Sequence, residues 1–371
     1  MEFSIVVLPG DGVGPEVVAE GIKVLKAIGK TFNHDFQLHY GSIGALAFEQ
    51  EGEALSDKTL KMCKGCDAVL FGAVGEPKWE DPRVKIRPEL GYGLIRLRRE
   101  LGLFANLRPV RLFQALVNST NLKPEVVNGV DFIVVRELTG GIYFSEPKRV
   151  WQTAEGREAI DTLRYTEKEI ERIVRVGFEL ARSRRKKLAS VDKFQILRSS
   201  DLWREISDEV AVEYPDVQME HMMVDTCAMR MIQRPTDIDV IVTENLFGDI
   251  LSDEASMLAG SMGMMPSASL AAIPCEGRKL FGLYEPIHGS SPRRAGLDMA
   301  NPIATILSVA MMLRYSFSLI EEAKVIENSV DAVLQEGYRT YDIMSEGKTR
   351  VGTKEMGELV AGKILRRLPE N

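Results

Sequence analysis

Two aspartates four residues apart, Asp249 and Asp253, stand in the stretch Thr243–Gly263 (TENLFGDILSDEASMLAGSMG), whose pattern predicts a helix. Residues at i and i+4 share a helix face, so the two carboxylates would stack and repel by roughly a few tenths of a kcal/mol. A third acid, Asp225, lies upstream in HMMVDTCAM, after a predicted strand. Ligands that are all oxygen suit Mg²⁺ or Mn²⁺, which need few carboxylates and leave room for substrate oxygens. A solvated acidic face or a helix start would carry the same residues. Spacing alone does not decide between the two.

Cationic chemistry is concentrated in two other places. Arg96, Arg98, Arg99, Arg108 and Arg111 follow the Pro- and Gly-rich stretch Gly75–Gly93, which reads as one long surface loop. Arg98 would begin a helical turn and Arg108 would sit in an extended Leu-Arg-Pro segment. Such a cluster can clamp carboxylates bidentately, although a basic amphipathic helix facing solvent has the same composition. Downstream, Leu283–Gly296 (LYEPIHGSSPRRAG) reads as a loop whose backbone N–H groups and arginines suit a phosphate.

The elements that must position these residues alternate. A strand over Ser4–Leu8 runs through Gly10-Asp11-Gly12-Val13-Gly14-Pro15 into a helix from Glu16 to about Ile28. The spacing GxGxG is not the GxGxxG of a dinucleotide-binding turn, and no P-loop lysine follows. Strands at Phe36–Gly41 and Ala68–Gly72, with a helix near Ser56–Cys63, continue a βαβ rhythm that implies a largely parallel sheet. Asp131–Arg136, Leu188–Asp192, Val217–Met223 and Asp237–Thr243 read as further strands, and 166–182 as an amphipathic helix. The strand at Leu188–Asp192 delivers Lys193, and the Gly140-Gly141 turn leads to Tyr143.

Composition narrows the function classes. A chain of 371 residues predicts two domains or one large α/β unit. The net charge of −7 argues against nucleic acid as the main partner. The least polar run, Ala300–Leu313, is too short to cross a bilayer and reads as a buried helix. Four cysteines make no disulfide framework, and Cys63-x-x-Cys66 has no second pair or nearby histidine for zinc. With a strand at the start in place of a signal peptide, the expectation is a reduced, cytoplasmic protein.

The motifs VVLPGDGVGPEV, GLFANLRPV, VRELTGGIYF, VDK, VTENLFGDILSDEASM, MPSASL and YEPIHGS together resemble the metal-dependent β-decarboxylating dehydrogenases, from Ile5 to Leu365. Within that isocitrate/isopropylmalate dehydrogenase family, their wording is most similar to the 3-isopropylmalate dehydrogenase branch of leucine biosynthesis. The resemblance implies an α/β fold of two domains sharing a mixed central sheet, not a Rossmann fold. Residues 1–103 with 260–371 would form the cofactor side, and 104–259 the dimer interface with the metal and catalytic residues. It implies a homodimer with shared active sites, in which Asp249 and Asp253 of one subunit meet Asp225 of the other around Mg or Mn. Tyr143, and Lys193 from the partner, would be the acid–base pair. Arg98, Arg108 and Arg136 would hold malate carboxylates, with Leu94, Ile95 and the partner's Ile196 around the isopropyl group. Glu285, His288, Gly289, Ser290, Ser291 and Asn301 would bind the cofactor.

The cofactor segment departs from the NAD-using members, which carry Asp-Ile where Arg293 and Arg294 stand. A cation cannot accept ribose hydrogen bonds but can pair with a 2′-phosphate. Tyr341 and Arg234 match NADP-using relatives as well, so NADP is the expected cofactor, with NAD the family default and the alternative. Gln195 and Ser145 also differ from the usual residues. The expected reaction is oxidative decarboxylation of 3-isopropylmalate to 4-methyl-2-oxopentanoate. The alternatives are the same chemistry on D-malate, tartrate or a secondary-metabolite precursor, and a non-catalytic metal-binding subunit.

Overall fold

The computed structural model describes residues 1–80, 90–274 and 277–367. Strands β1 (Glu2–Gly10), β2 (Asp35–Tyr40), β3 (Ala68–Ala73), β4 (Ala105–Arg111) and β5 (Asp131–Glu137) come first in the chain. A hairpin of β6 (Arg149–Thr153) and β7 (Gly156–Ile160) precedes β8 (Lys187–Asp192), β9 (Gln218–Met223), β10 (Val240–Thr243), β11 (Pro266–Leu270) and β12 (Gly282–Pro286). Ten of them make one sheet in the order β2-β1-β3-β12-β11-β4-β5-β10-β8-β9.

Two parallel wings, β2-β1-β3-β12 and β5-β10-β8-β9, meet through antiparallel β11 and β4. The sheet is therefore mixed, and the βαβ rhythm accounts for its wings. Strands such as Ala68–Ala73 and Val240–Thr243 are buried along their whole length, as expected where helices cover both faces. The helix Ile303–Tyr315 is buried almost all round. The helix Glu167–Arg182 starts with a capping box between Thr166 and Glu169 and buries an apolar stripe from Ile170 to Ala181.

Several boundaries differ from expectation. The Gly75–Gly93 loop is interrupted by helices at Pro77–Glu80 and from Leu90, while its 81–89 part lies outside the described residues. Arg98 ends the helix Leu90–Glu100 rather than beginning one. Leu283–Pro286 is strand β12, because it pairs with both β11 and β3. Pro235–Asp237 is a 3-10 turn, so β10 starts only at Val240. Cys63 and Cys66 are free thiols at the end of the helix Asp57–Lys64. The Cys66 thiol donates to the Cys63 and Ala68 carbonyls, and burial pushes the Cys63 thiol up to about 12.

Candidate active site

The helix Asn245–Ser256 follows β10 directly, and Glu244 caps it by accepting from Leu246 N (3.1 Å) and Phe247 N (2.8 Å). Its buried face includes Gly248, Leu251, Ser252 and Ala255, which leaves Asp249 and Asp253 on the opposite, more open side. A Cβ on Gly248 would fall 2.7 Å from Cβ of Arg136. The glycine lets that arginine pass under the helix and turn up to Asp249.

Asp249 is the meeting point. Arg136 Nη1 donates to its Oδ1, Arg108 Nη2 stands 3.5 Å from the same oxygen, and the Tyr143 hydroxyl donates to Oδ2 at 2.6 Å. Asp253 Oδ1 lies 3.6 Å from Arg108 Nη1. Arg108 is fixed by Asn106 Oδ1 (2.9 Å) and Ser252 Oγ (2.6 Å), and Arg136 by Asn245 Oδ1 (2.9 and 2.7 Å). Arg98 pairs with Glu285 at 2.5 Å beside a cavity of about 150 Å³ that Leu94, Arg108 and His288 also line. Arg96, Arg99 and Arg111 face elsewhere, toward Asp57, Phe144 and Phe113.

Burial and the neighbouring Arg136 lower the Arg108 pKa to about 10, against the pull of Asp249. Burial alone would raise the Asp249 carboxyl, yet Arg136 and Arg108 together hold it below its ordinary value. Asp253 moves the other way, raised by burial and by Asp249. Burial and the Asp249 bond push Tyr143 up to about 12, so its phenol keeps its proton at neutral pH. The cluster offers a dianion several guanidinium donors and one proton donor.

Two stacked carboxylates, one raised by the other, are a hard-oxygen donor pair that a divalent cation would relieve. The residues fit such an ion, although among the described residues no group of three His, Cys, Asp or Glu comes together in the chain. Asp225 is elsewhere, in the first turn of the helix Val224–Gln233, where its Oδ1 is 2.6 Å from Lys193 Nζ. That contact holds the Asp225 carboxyl below its ordinary value. Ile196, near this pair in sequence, is 74 % exposed.

The cofactor candidates lie on the other wing. Asp11 gathers three chain segments, accepting from Ala45 N (2.9 Å), Leu46 N (3.1 Å) and Gly75 N (2.9 Å). Val13 N donates to Ser290 O at 2.8 Å, and a Cβ on Gly12 would fall 2.0 Å from that oxygen. The turn therefore abuts the His288–Ser291 segment. His288 donates from Nδ1 to Gly289 O at 2.9 Å, leaving Nε2 buried with no partner among the described residues. Burial lowers its pKa, and the orphaned nitrogen suits a polar ligand group such as a nucleotide offers. Among the described residues nothing lies within 4 Å of a Cβ built on Gly289, and Ser291 turns the chain with a φ of 39°. Arg293 and Arg294 are exposed, with the Arg294 guanidinium 4.7 Å over the Tyr341 ring. Asn301 is occupied structurally, accepting from Ile303 N (3.0 Å) and donating to Asp342 Oδ2 (3.1 Å). Arg234 stands apart at the end of the helix Val224–Gln233.

The profile of isocitrate/isopropylmalate dehydrogenases matches residues 4–360. The chain belongs to that family. It is 61 % identical over 362 residues to the 3-isopropylmalate dehydrogenase of Dehalococcoides mccartyi (strain 195), covering 97 % of this chain and 99 % of that protein. The 3-isopropylmalate dehydrogenase of Carboxydothermus hydrogenoformans is 56 % identical over 364 residues, covering 98 % and 95 %. The crystal structure of isocitrate dehydrogenase from Methylococcus capsulatus superposes with a TM-score of 0.83 at 33 % identity, covering 98 % of this chain and 99 % of that one.

An isocitrate/isopropylmalate dehydrogenase-type protein is an oxidoreductase, and the mixed sheet described above is the fold it uses. Of the residues singled out in the sequence, the structure brings Tyr143, Arg108, Arg136, Asp249 and Asp253 together and places Arg98 beside Glu285 on the cavity that Arg108 lines. Sequence reading overlooked Asn106, Ser252 and Asn245, which hold Arg108 and Arg136 in place, and Asp11, which gathers three backbone N–H groups. Asn245 and Ser252 flank the aspartates inside the block already singled out, and Asn106 precedes Arg108 by two. Their types carry no charge signal, so only their burial exposes the role.

Proposed function

We propose that this dehydrogenase converts 3-isopropylmalate to 4-methyl-2-oxopentanoate and CO₂ with reduction of NADP. The observation that carries the reading is the convergence of Tyr143, Arg108, Arg136 and Asp249 beside a cavity that contains Leu94. When bound beside His288–Ser291, a nicotinamide cofactor would supply the hydride acceptor for C2, and a divalent ion held by Asp249, Asp253 and the partner's Asp225 would supply positive charge for the substrate oxygens. Lys193, supplied by the partner subunit, takes the hydroxyl proton. Arg98, Arg108 and Arg136 hold the two carboxylates, so that loss of CO₂ occurs from a fixed geometry. Tyr143 gives its proton to C3 of the resulting enol. Apolar Leu94 and Ile95 favour an isopropyl group over a third carboxylate.

A homodimer with shared sites is supported by the placing of the Lys193–Asp225 pair outside the Asp249–Asp253 cluster. Exposed Phe194, Ile196, Met229, Ile232, Ile250 and Met257 support an apolar contact on that side. The two-wing sheet supports a division into 1–103 with 260–371 and 104–259. NADP preference is supported by Arg293 and Arg294 replacing an acid, and by the stacking of Arg294 on Tyr341. No helix among the described residues is long and apolar enough to cross a membrane, and we place the enzyme in the cytoplasm. The test is reduced-cofactor production from 3-isopropylmalate, D-malate and tartrate with NAD and NADP in turn. Turnover of D-malate as fast as isopropylmalate would retire the substrate, and faster NAD reduction would retire the cofactor.

A further inference from the structure

The Tyr143 turn and the Asp249 helix belong to different parts of the chain, and one buried side chain lies between them. The Tyr165 ring packs against Gly140 and Gly141: a Cβ on the first would fall 2.6 Å from its Cε1, and on the second 2.3 Å from its oxygen. Gly141 also has a φ of 71°, so glycine answers both demands. The Tyr165 oxygen accepts from Asn245 N at 2.9 Å and donates to Glu244 Oε2 at 3.1 Å. These are the cap and the first residue of the helix that carries Asp249 and Asp253. Asn245 closes the loop, donating from Nδ2 to Gly140 O at 3.1 Å and accepting from Arg136 on Oδ1.

We propose that the Tyr165 hydroxyl is a positioning group that, through Asn245 and Glu244, fixes the distance between the proton donor Tyr143 and Asp249. The proposal rests on the reading of Tyr143 as proton donor. Every member of the corner is buried, so its hydrogen bonds have no solvent to replace them. The turn, the helix and Arg136 would therefore move as one body. Without the hydroxyl, Asn245 N loses its acceptor and the helix start can slip relative to the turn. Displacements of that kind are felt in turnover more than in binding of the groups that do not move.

Tyr165→Phe keeps the ring against the two glycines and removes only the hydroxyl. The expected result is a fall in kcat of about 10- to 100-fold, with the cofactor KM within about twofold of wild type. Trp203→Phe is the control: Trp203 meets the Tyr165 ring edge-on at 6.1 Å, and its Nε1 donates to Ser190 Oγ at 3.1 Å rather than to Asn245 or Gly140. It should lower Tm while leaving kcat within about twofold. A Tyr165→Phe enzyme with wild-type kcat, whatever its Tm, overturns the proposal. The ratio is taken with whichever malate the wild type uses best, so a wrong substrate assignment appears in the wild type and not in the ratio. If the wild type is inert with every malate, the crystal structure of Tyr165→Phe decides. A Tyr143–Asp249 contact unchanged from 2.6 Å would overturn the proposal, and a lengthened one would support it.

Discussion

Lys193 and Asp225 form an ion pair of 2.6 Å, while Tyr143 and Asp249 form a second pair of 2.6 Å with different partners. In the proposed homodimer, base and acid of one reaction would be supplied by separate half-sites, each completed by the second copy of the chain. Lys193→Met and Tyr143→Phe should each be inactive alone. Reassembled from an equal mixture, half the dimers pair the two variants and contain one intact site of two, giving about a quarter of wild-type activity. An inactive mixture, with hybrid formation verified by native mass spectrometry, would rule out shared sites.

Asp249→Asn keeps the shape and removes the charge that Arg136 and Arg108 face. Mn²⁺-dependent turnover should fall by about 100-fold or more. The circular dichroism spectrum should be unchanged, because the helix is held by the Glu244 cap and its buried face rather than by Asp249. Isothermal titration with Mn²⁺ alone supplies a readout free of turnover, and affinity equal to wild type would contradict the ligand assignment.

How much of this was legible beforehand follows from what each residue type announces. Strands β1, β2, β3, β5, β8, β9 and β10 could be read because their apolar pattern comes from burial, and the helix Ile303–Tyr315 because it is apolar almost all round. The aspartates and arginines drew attention as charges. The extended start of Leu283–Gly296 was missed, since Pro, Gly and Ser suggest a loop while the pairing of β12 with β3 and β11 is set by distant residues. Asn245 and Tyr165 were missed for another reason. A buried polar hub looks like any neutral residue until its neighbours in space are known.

Alkaline stability reports the Tyr143 environment. Its folded pKa of about 12 lies above the ordinary tyrosine value of 10.0. The unfolded chain therefore loses the proton first, and the stabilising contribution present below about pH 10 disappears as pH rises toward about 12. Thermal melts of wild type and Tyr143→Phe across that range isolate this group from the other buried tyrosines. The wild-type advantage in Tm should shrink as pH rises, and a constant difference would show that burial and Asp249 do not hold the phenol proton in the folded chain.

Asp11 accepts from three backbone N–H groups and joins the Gly10–Gly12 turn to the segments at 45–46 and Gly75. Asp11→Ala leaves all three donors without that partner, at a cost of about 3 kcal/mol, and should raise the cofactor KM because the turn abuts Ser290. Asp11→Asn retains one acceptor oxygen and should fall between the two. Denaturant melts give the stability order, and a cofactor KM unmoved in both variants would separate the turn from the cofactor site.

In the proposed reading, cofactor choice turns on Arg293 and Arg294. Both are exposed, and Arg294 stacks on Tyr341, which restricts its guanidinium before any ligand arrives. A 2′-phosphate paired with two such cations gains charge-assisted hydrogen bonds of about 1.5–3 kcal/mol each, where a bare ribose gains none. Arg293→Asp with Arg294→Ile removes those donors and supplies an acceptor for the ribose hydroxyls. The ratio of kcat/KM for NADP over NAD should drop by about 100-fold or more. Because the pairing is electrostatic and open to solvent, the wild-type NADP advantage should also weaken with added salt. A wild-type ratio indifferent to salt and to the double substitution would mean that these arginines point into solvent with the cofactor bound.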